Sequence, residues 1–283
     1  MIGLGFGNFQ SGGGGFVGLL DTYPNAAAAY SVRRLSSTYE GALIRVREDS
    51  GDTEADIGFD ANGNLDTAAL LSHCGANNGY VVTWYDQSGN SNNAIQESAA
   101  NQPEIVTAGA INSENGNPCL TLNGSSMNLD LPAGLLPFTN QENNSCYAIT
   151  KANNNSTRER VVFFGSGTST RMNLAYDNRL NGVTYVNSTG FSNGVFTTTI
   201  KRGFQFMLFA DKSGTTQELF SNTTSIGSNS KGNDVDVANG SLFAGDTIQF
   251  FNGTCQEVVL FNESYKSQIS GIFNNVNEYY TLP

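Results

Sequence analysis

The stretch that decides the fold is VVTWYDQSGN, which occupies residues 81–90. Its first five residues are β-branched or aromatic, and these residue types favour a pleated, half-buried strand. The five residues that follow are polar or glycine, as is typical of a turn. Because successive side chains of a strand point to opposite faces, Trp84 and Tyr85 cannot both enter one core. We predict that Trp84 is buried and that Tyr85 lies on the other face.

The same alternation of short strands and turns continues through the C-terminal half. Beyond residue 118, apolar or Thr-rich segments are separated by Asn, Gly, Asp and Ser. Many short strands without alternating helices predict an all-β sandwich or jelly roll. A few short helices are expected beside it. They are predicted at Ala26–Arg34 after a capping Asn25, at Thr67–His73 after a capping Asp66, and at Ser267–Tyr280.

Composition and charge exclude several classes of protein. The 283 residues include 14 basic and 25 acidic side chains, a net charge of −11. Such a chain repels phosphate backbones, so no nucleic-acid partner is expected. No apolar run reaches the roughly 20 residues that span a bilayer, so no membrane insertion is expected. The N-terminus lacks the pattern of a secretory signal, which predicts synthesis in a cytoplasm.

The four cysteines are far apart in the sequence and form no metal-binding spacing. They are Cys74, Cys119, Cys146 and Cys255. Without a CxxC pair, a zinc site is not expected. We predict buried free thiols, with disulfide bridges as the alternative.

The first 18 residues differ from the rest of the chain. They contain eight glycines together with large apolar side chains. Glycine loses the most entropy on ordering, so this segment is not expected to fold alone. We predict that residues 1–20 form a docking segment and that residues 21–283 form one sandwich domain. The docking side chains would be Leu4, Phe6, Phe9 and Phe16, and the alternative is a terminus without a role.

Three segments together resemble a known family. Ala27–Leu35, Ala42–Arg47 and Val82–Asn90 are similar to the N-terminal part of the arabinofuranosidase B catalytic domain, a concanavalin A-like sandwich. They resemble more closely the non-catalytic versions found in tail, fibre and capsid-associated proteins of bacteriophages. The segments Phe251–Asn262 and Asn275–Tyr280 resemble the end of a laminin-G-type concanavalin A domain. The resemblance therefore implies a jelly-roll sandwich of the concanavalin A or laminin-G type.

Two functions are compatible with this resemblance. The first is a structural protein of the virion surface (a fibre, spike or capsid decoration module) made in the host cytoplasm. Such a module is not an enzyme, and its expected partners are other virion proteins, further copies in a symmetric homo-oligomer such as a trimer, and a host cell-surface glycan. The alternative is a glycoside hydrolase or polysaccharide depolymerase.

The sequence favours the structural function over the hydrolase. The fungal arabinofuranosidases of the family carry an adjacent cysteine pair, which this chain lacks. A retaining glycosidase also needs two carboxylates about 5–5.5 Å apart. Glu257, Asp246 and Asp86 are candidates in apolar surroundings, but no local motif pairs them.

Two sets of polar residues are candidate binding sites. Tyr85, Asp86 and Asn90 form the candidate glycan-binding set, although Asp86 and Asn90 also suit a role in locking the turn. Asx-rich loops supply the oxygen ligands that Ca²⁺ prefers, and they equally form ordinary Asx turns. The candidate calcium ligands are Asp60, Asn62, Asn64 and Asp66. No other cofactor is expected.

Overall fold

The structure is a computed structural model that describes residues 15–135, 143–153, 159–166, 170–177, 182–189, 195–197, 202–230, 240–245 and 249–283. Within these ranges the strands are β1 (Ala26–Ser31), β2 (Ile44–Glu48), β3 (Glu54–Ile57), β4 (Gly79–Trp84), β5 (Ala94–Ile95), β6 (Glu104–Thr107), β7 (Ala110–Ile111), β8 (Ser113–Glu114), β9 (Asn117–Pro118), β10 (Leu120–Asn123), β11 (Leu129–Leu131), β12 (Asn143–Ala152), β13 (Glu159–Ser166), β14 (Thr170–Asp177), β15 (Gly182–Thr189), β16 (Val195–Thr197), β17 (Phe206–Ser213), β18 (Thr216–Ser221), β19 (Thr224–Asn229), β20 (Gly240–Leu242) and β21 (Asn252–Phe261). The α-helices are α1 (Leu19–Thr22), α2 (Thr67–Cys74) and α3 (Ile269–Tyr280). In this described part, no helix is long and apolar enough to cross a membrane.

Nineteen of the described strands form one continuous antiparallel network that is folded into two sheets facing each other, and β8 and β9 pair separately. In the first sheet β21 pairs with β1 and β10 along one edge and with β12 along the other, and β17, β18 and β19 follow in order. In the second sheet the order is β3, β2, β4, β5, β11, β20, β13, β14, β15 and β16. β6 pairs with both β4 and β10, so it joins the sheets at one side. The all-β sandwich predicted from the sequence is confirmed.

A row of aromatic rings packs between the sheets. Neighbouring ring centroids lie 5.6–6.3 Å apart, a spacing at which each aromatic pair contributes about 0.5–1.5 kcal/mol beyond area burial. We call this row the aromatic column, and its members in order are Tyr30, Trp84, Phe243, Phe251, Tyr176 and Phe206. Trp84 is fully buried, as predicted.

The predicted helix at Ala26–Arg34 is wrong, because Ala26–Ser31 forms strand β1. Alanine favours helix only weakly, and tertiary pairing overrides that preference. One edge of β1 pairs with β21, and the turn after Trp84 occupies the other. There Asp86 Oδ1 accepts from the backbone N–H of Ala29 at 2.8 Å, and the Asn90 amide donates to the carbonyl of Ala26 at 2.9 Å. Side chains of the turn thus satisfy a strand edge that would otherwise be unpaired.

The other sequence-based helices are confirmed. Asp66 caps α2 through a hydrogen bond from Ala69 N–H to its Oδ1 at 2.9 Å. Helix α3 begins at Ile269 after a short 3₁₀ turn and buries Ile272 and Val276. The four cysteines are free and buried.

Candidate functional site

The turn residues predicted to bind glycan make most of their hydrogen bonds to other groups of the protein. Both carboxylate oxygens of Asp86 accept hydrogen bonds, including one from the backbone N–H of Asn92 at 2.9 Å. The Tyr85 hydroxyl donates to Asp56 at 2.7 Å, and burial together with this carboxylate raises the pKa of Tyr85 to about 12. Asp86 therefore has the geometry of a residue that locks the turn, while Asn90 remains at the surface.

The loop predicted to bind calcium forms an Asx turn. Asp60 Oδ1 accepts from the backbone N–H groups of Asn62 and Asn64, at 2.8 and 2.9 Å. Asp66 is turned toward α2, which it caps. The loop therefore brings Asp60 and Asn64 together and directs the Asp66 carboxylate elsewhere. Calcium binding here stays a prediction.

The predicted docking segment lies mostly outside the described residues, which begin at residue 15. Leu4, Phe6 and Phe9 fall in that undescribed part. Phe16 packs on its own domain, with its ring centroid 5.0 Å from the guanidinium carbon of Arg34. The same guanidinium carbon lies 4.7 Å from the centroid of the Phe59 ring.

Glu257, a candidate catalytic carboxylate, is sealed inside the protein. Its two oxygens accept five hydrogen bonds from Arg33 (two), Ser31, Tyr147 and Tyr280 at 2.6–3.1 Å. Burial opposes ionisation, but the Arg33 guanidinium outweighs it and lowers the pKa of Glu257. A carboxylate with no exposed surface cannot reach a substrate, so its role is structural.

A different carboxylate, Asp130, lies in an open groove of about 310 Å³. It sits on β11 between Ile95 of β5 and Ser241 of β20. We call this the Asp130 groove, and its lining consists of Asn128, Asp130, Phe163, Gly165, Gly240, Ser241, Ala244, Gly245 and Phe250. Burial raises the pKa of Asp130, although the Asn128 amide donates to its Oδ1 at 2.9 Å and lowers it in part. A carboxyl with a raised pKa in a concave site is suited to proton transfer.

Glycines allow the walls of this groove to pack closely. A Cβ on Gly240 would lie 2.5 Å from the Phe164 ring, and one on Gly245 would lie 2.5 Å from Arg160 Cγ. Between them, buried Phe243 adopts φ 69°, a left-handed conformation that is strained for a bulky residue. Its N–H donates to the Val161 carbonyl at 2.9 Å, which fixes the loop against β13.

The groove combines an acid with apolar surface. Phe250, which is half-buried, supplies aromatic surface for the C–H face of a sugar, and Asp130 can donate a proton to a leaving oxygen. Asp246, named as a candidate from the sequence, follows groove-lining Gly245 in the chain but lies outside the described residues.

Sequence reasoning missed Asp130. The available signal was a single carboxylate between Leu129 and Leu131. That alternation indicates a strand with its acid on the open face.

Comparisons with known proteins identify the family of the chain. A family model described as "Alpha-L-arabinofuranosidase B, catalytic" matches residues 21–254. The chain is similar to an arabinofuranosidase solved with arabinofuranosyl-α-1,2-xylobiose, at 17% identity and a TM-score of 0.67 over 92% of this chain and 64% of that one. The chain is also similar to a GH54 α-L-arabinofuranosidase soaked with a cyclic sulfate inhibitor, at 18% identity and a TM-score of 0.66. That match covers 92% of this chain and 65% of the arabinofuranosidase.

The chain also has a more distant structural similarity to a sialidase. Trypanosoma rangeli sialidase matches at 16% identity and a TM-score of 0.51, covering 68% of this chain and 30% of the sialidase. No curated protein matches in sequence. The chain spans 64–65% of the length of the two arabinofuranosidases.

These findings correct the main functional prediction. The resemblance to bacteriophage tail, fibre and capsid-associated proteins is wrong, as are the predictions of a non-enzymatic structural protein and of a place on the virion surface. The resemblance of the N-terminal part to arabinofuranosidase B is right and extends to residue 254. The error arose because no local motif paired two acids, although a sandwich can assemble a site from strands far apart in sequence.

Proposed function

Because the chain belongs to the family of arabinofuranosidase B catalytic domains, we propose that it is a glycoside hydrolase that removes α-L-arabinofuranosyl groups from a larger glycan. The observation that carries this proposal is the family match over residues 21–254. The Asp130 groove supports it, since it offers an acid with a raised pKa beside aromatic surface in an open cleft.

Asp130 is the proposed general acid. Protonated Asp130 donates its proton to the glycosidic oxygen as the bond from that oxygen to the sugar breaks, and the leaving group departs as a neutral alcohol. Burial keeps the proton on this carboxyl at a higher pH than usual, which is what a general acid requires. Half-buried Phe250 holds the sugar ring by stacking.

Glycoside hydrolysis by this route needs a second carboxylate. Asp246 is the proposed partner, because it directly follows Gly245 of the groove lining. Its role is to attack the sugar or to activate water, and the stereochemistry of the released arabinose distinguishes these two.

The test compares two substrates with different leaving groups. Asp130→Asn should lose about 10²–10⁴-fold in kcat/KM on an arabinosyl xylo-oligosaccharide, whose poor leaving group needs a proton. The loss should be much smaller on 4-nitrophenyl α-L-arabinofuranoside, because 4-nitrophenolate leaves without one. Asp246→Asn should lose activity on both.

The matched control is Asp56→Asn, another exposed aspartate on a strand, which lies outside the groove. It should retain wild-type activity. Equal loss on both substrates for Asp130→Asn would exclude the acid role. Absence of arabinoside hydrolysis by the wild-type protein would refute the proposed function.

A further inference from the structure

A second groove lies at the start of β1, between the turn after Trp84 and the residues that follow β21, and shares no lining residue with the Asp130 groove. Its volume is about 430 Å³. We call it the amide groove, and its lining consists of Asn25, Ala26, Ser88, Asn90, Asn262 and Glu263. We propose that the amide groove binds a neutral oligosaccharide.

The first observation is an acceptor without a partner. Asn262 Oδ1 is buried, and among the described residues nothing donates a hydrogen bond to it. The backbone N–H of Asn262 donates to the Asn25 carbonyl at 3.0 Å, which fixes the residue in the wall of the groove. An unpaired buried acceptor is costly. Asn262 as a residue is only half-buried and lines the groove, so a rotation of its side chain brings this acceptor to a ligand hydroxyl that satisfies it.

The second observation is that the walls are held in place before any ligand arrives. The Asn25 amide donates to Glu263 at 2.7 Å, and the Tyr265 hydroxyl donates to the same carboxylate oxygen at 3.0 Å. On the other wall the Asn90 amide donates to the Ala26 carbonyl at 2.9 Å. Such preorganisation lowers the entropy that binding must overcome.

The lining selects the class of ligand. Amides and hydroxyls both donate and accept, as sugar hydroxyls do. The Glu263 carboxylate and the net charge of −11 repel anions. The groove offers a cation a single carboxylate, and Asn25 and Tyr265 already donate hydrogen bonds to it, so a neutral ligand fits best.

An adjoining hollow extends the groove. It has a volume of about 210 Å³, shares Asn25, Ala26 and Ser88 with the amide groove, and is bordered by Leu20 and Tyr39. The apolar surface of these two side chains suits the C–H face of a further sugar unit. The two hollows together accommodate several sugar units, which favours an oligosaccharide over a monosaccharide.

The experiment is a chemical-shift titration of the uniformly ¹⁵N-labelled chain with xylohexaose and arabinohexaose, and with hexagalacturonate as the anionic counter-probe. At least one neutral probe should shift the amide signals of Asn25, Ser88 and Asn90. Because binding is located by residue, this result is independent of hydrolysis in the Asp130 groove. If the chain binds a neutral probe here but does not cleave arabinosides, the proposed function is refuted and the proposal for the amide groove stands.

Variants separate binding from folding. Asn262→Ala should weaken the affinity at the amide groove at least tenfold and leave both the melting temperature and the hydrolysis of 4-nitrophenyl α-L-arabinofuranoside unchanged. The matched control is Asn275→Ala, since Asn275 Oδ1 is likewise buried without a partner among the described residues but lines none of these grooves. Its affinity should equal that of the wild type.

Three results would overturn the proposal. The first is no shift at the amide groove with either neutral probe. The second is binding of hexagalacturonate in preference to both. The third is equal affinity of the wild type and Asn262→Ala.

Discussion

Replacing Glu257 by glutamine should destabilise the sandwich severely, although the two side chains have almost the same shape. The carboxylate accepts five hydrogen bonds and neutralises the buried guanidinium of Arg33. Glutamine removes the charge and turns one acceptor into a donor that faces other donors. Breaking a buried ion pair at one partner costs about 3–5 kcal/mol, because the remaining charge is uncompensated.

That cost is large compared with the whole stability of the fold. Domains unfold with about 5–15 kcal/mol, and at this size each kcal/mol lowers the melting temperature by roughly 2–4 °C. We therefore expect the melting temperature of Glu257→Gln, measured by calorimetry, to lie on the order of 10 °C below that of the wild type. Urea unfolding should show the corresponding loss of unfolding free energy. Asp56→Asn serves as the control, because its ion pair with Arg45 is about half exposed and should contribute less than about 1 kcal/mol.

The loss of stability in Glu257→Gln also affects what an activity assay of this variant measures. Glu257→Gln would lose activity through unfolding and so resemble a catalytic variant. The double variant Arg33→Met/Glu257→Met removes both charges and should recover much of the stability. An unfolding free energy for Glu257→Gln within about 1 kcal/mol of the wild type would refute this reasoning, since it would mean that the guanidinium is not left uncompensated.

Three further outcomes are expected. The pKa of Glu257 is lowered on folding, so the stabilisation that its carboxylate provides is complete above the unfolded value near 4.5 and is lost as the pH falls below it. Urea unfolding between pH 7 and pH 3 should therefore show a larger loss of stability in the wild type than in Glu257→Gln, in which the remaining carboxylates still titrate. The pKa of Asp130 is raised, so hydrolysis of a substrate with a poor leaving group should decline as the pH rises through that raised value, and a pH profile in which Asp130→Asn keeps this decline would contradict the acid role. Gly245→Ala should cost about 1–3 kcal/mol through overpacking against Arg160 and reduce activity, whereas Gly58→Ala, with nothing within 4 Å of its Cβ, should leave activity intact.

The fold was accessible from the sequence because its signals are local. Trp84 ends β4 in the core and Tyr85, the next residue, is only half-buried, so the alternation in the sequence placed the tryptophan in the core correctly. The helix that was predicted at Ala26–Arg34 failed for the opposite reason. Strand β1 exists because β21 and the turn after Trp84 satisfy its two edges, and those partners are distant in sequence.

The candidate site was much harder to predict. Asp130 is brought beside Ser241 and Gly245 only when β11 pairs with β20. Its raised pKa is a property of that assembly, so nothing within a short window reveals it. Glu257 is the opposite case. Its apolar sequence neighbours suggested a catalytic carboxylate, whereas in the fold it is paired with Arg33 and hydrogen-bonded by two tyrosines.

The chain contains one tryptophan, and the aromatic column places it against Phe243, with ring centroids 6.3 Å apart. Phe243 belongs to the loop that forms one wall of the Asp130 groove and is held in a strained conformation. Indole emission depends on the polarity and packing around the ring. The fluorescence of Trp84 therefore reports on the packing directly beneath the Asp130 groove. In an unlabelled sample it offers an optical signal for any sugar that shifts this loop.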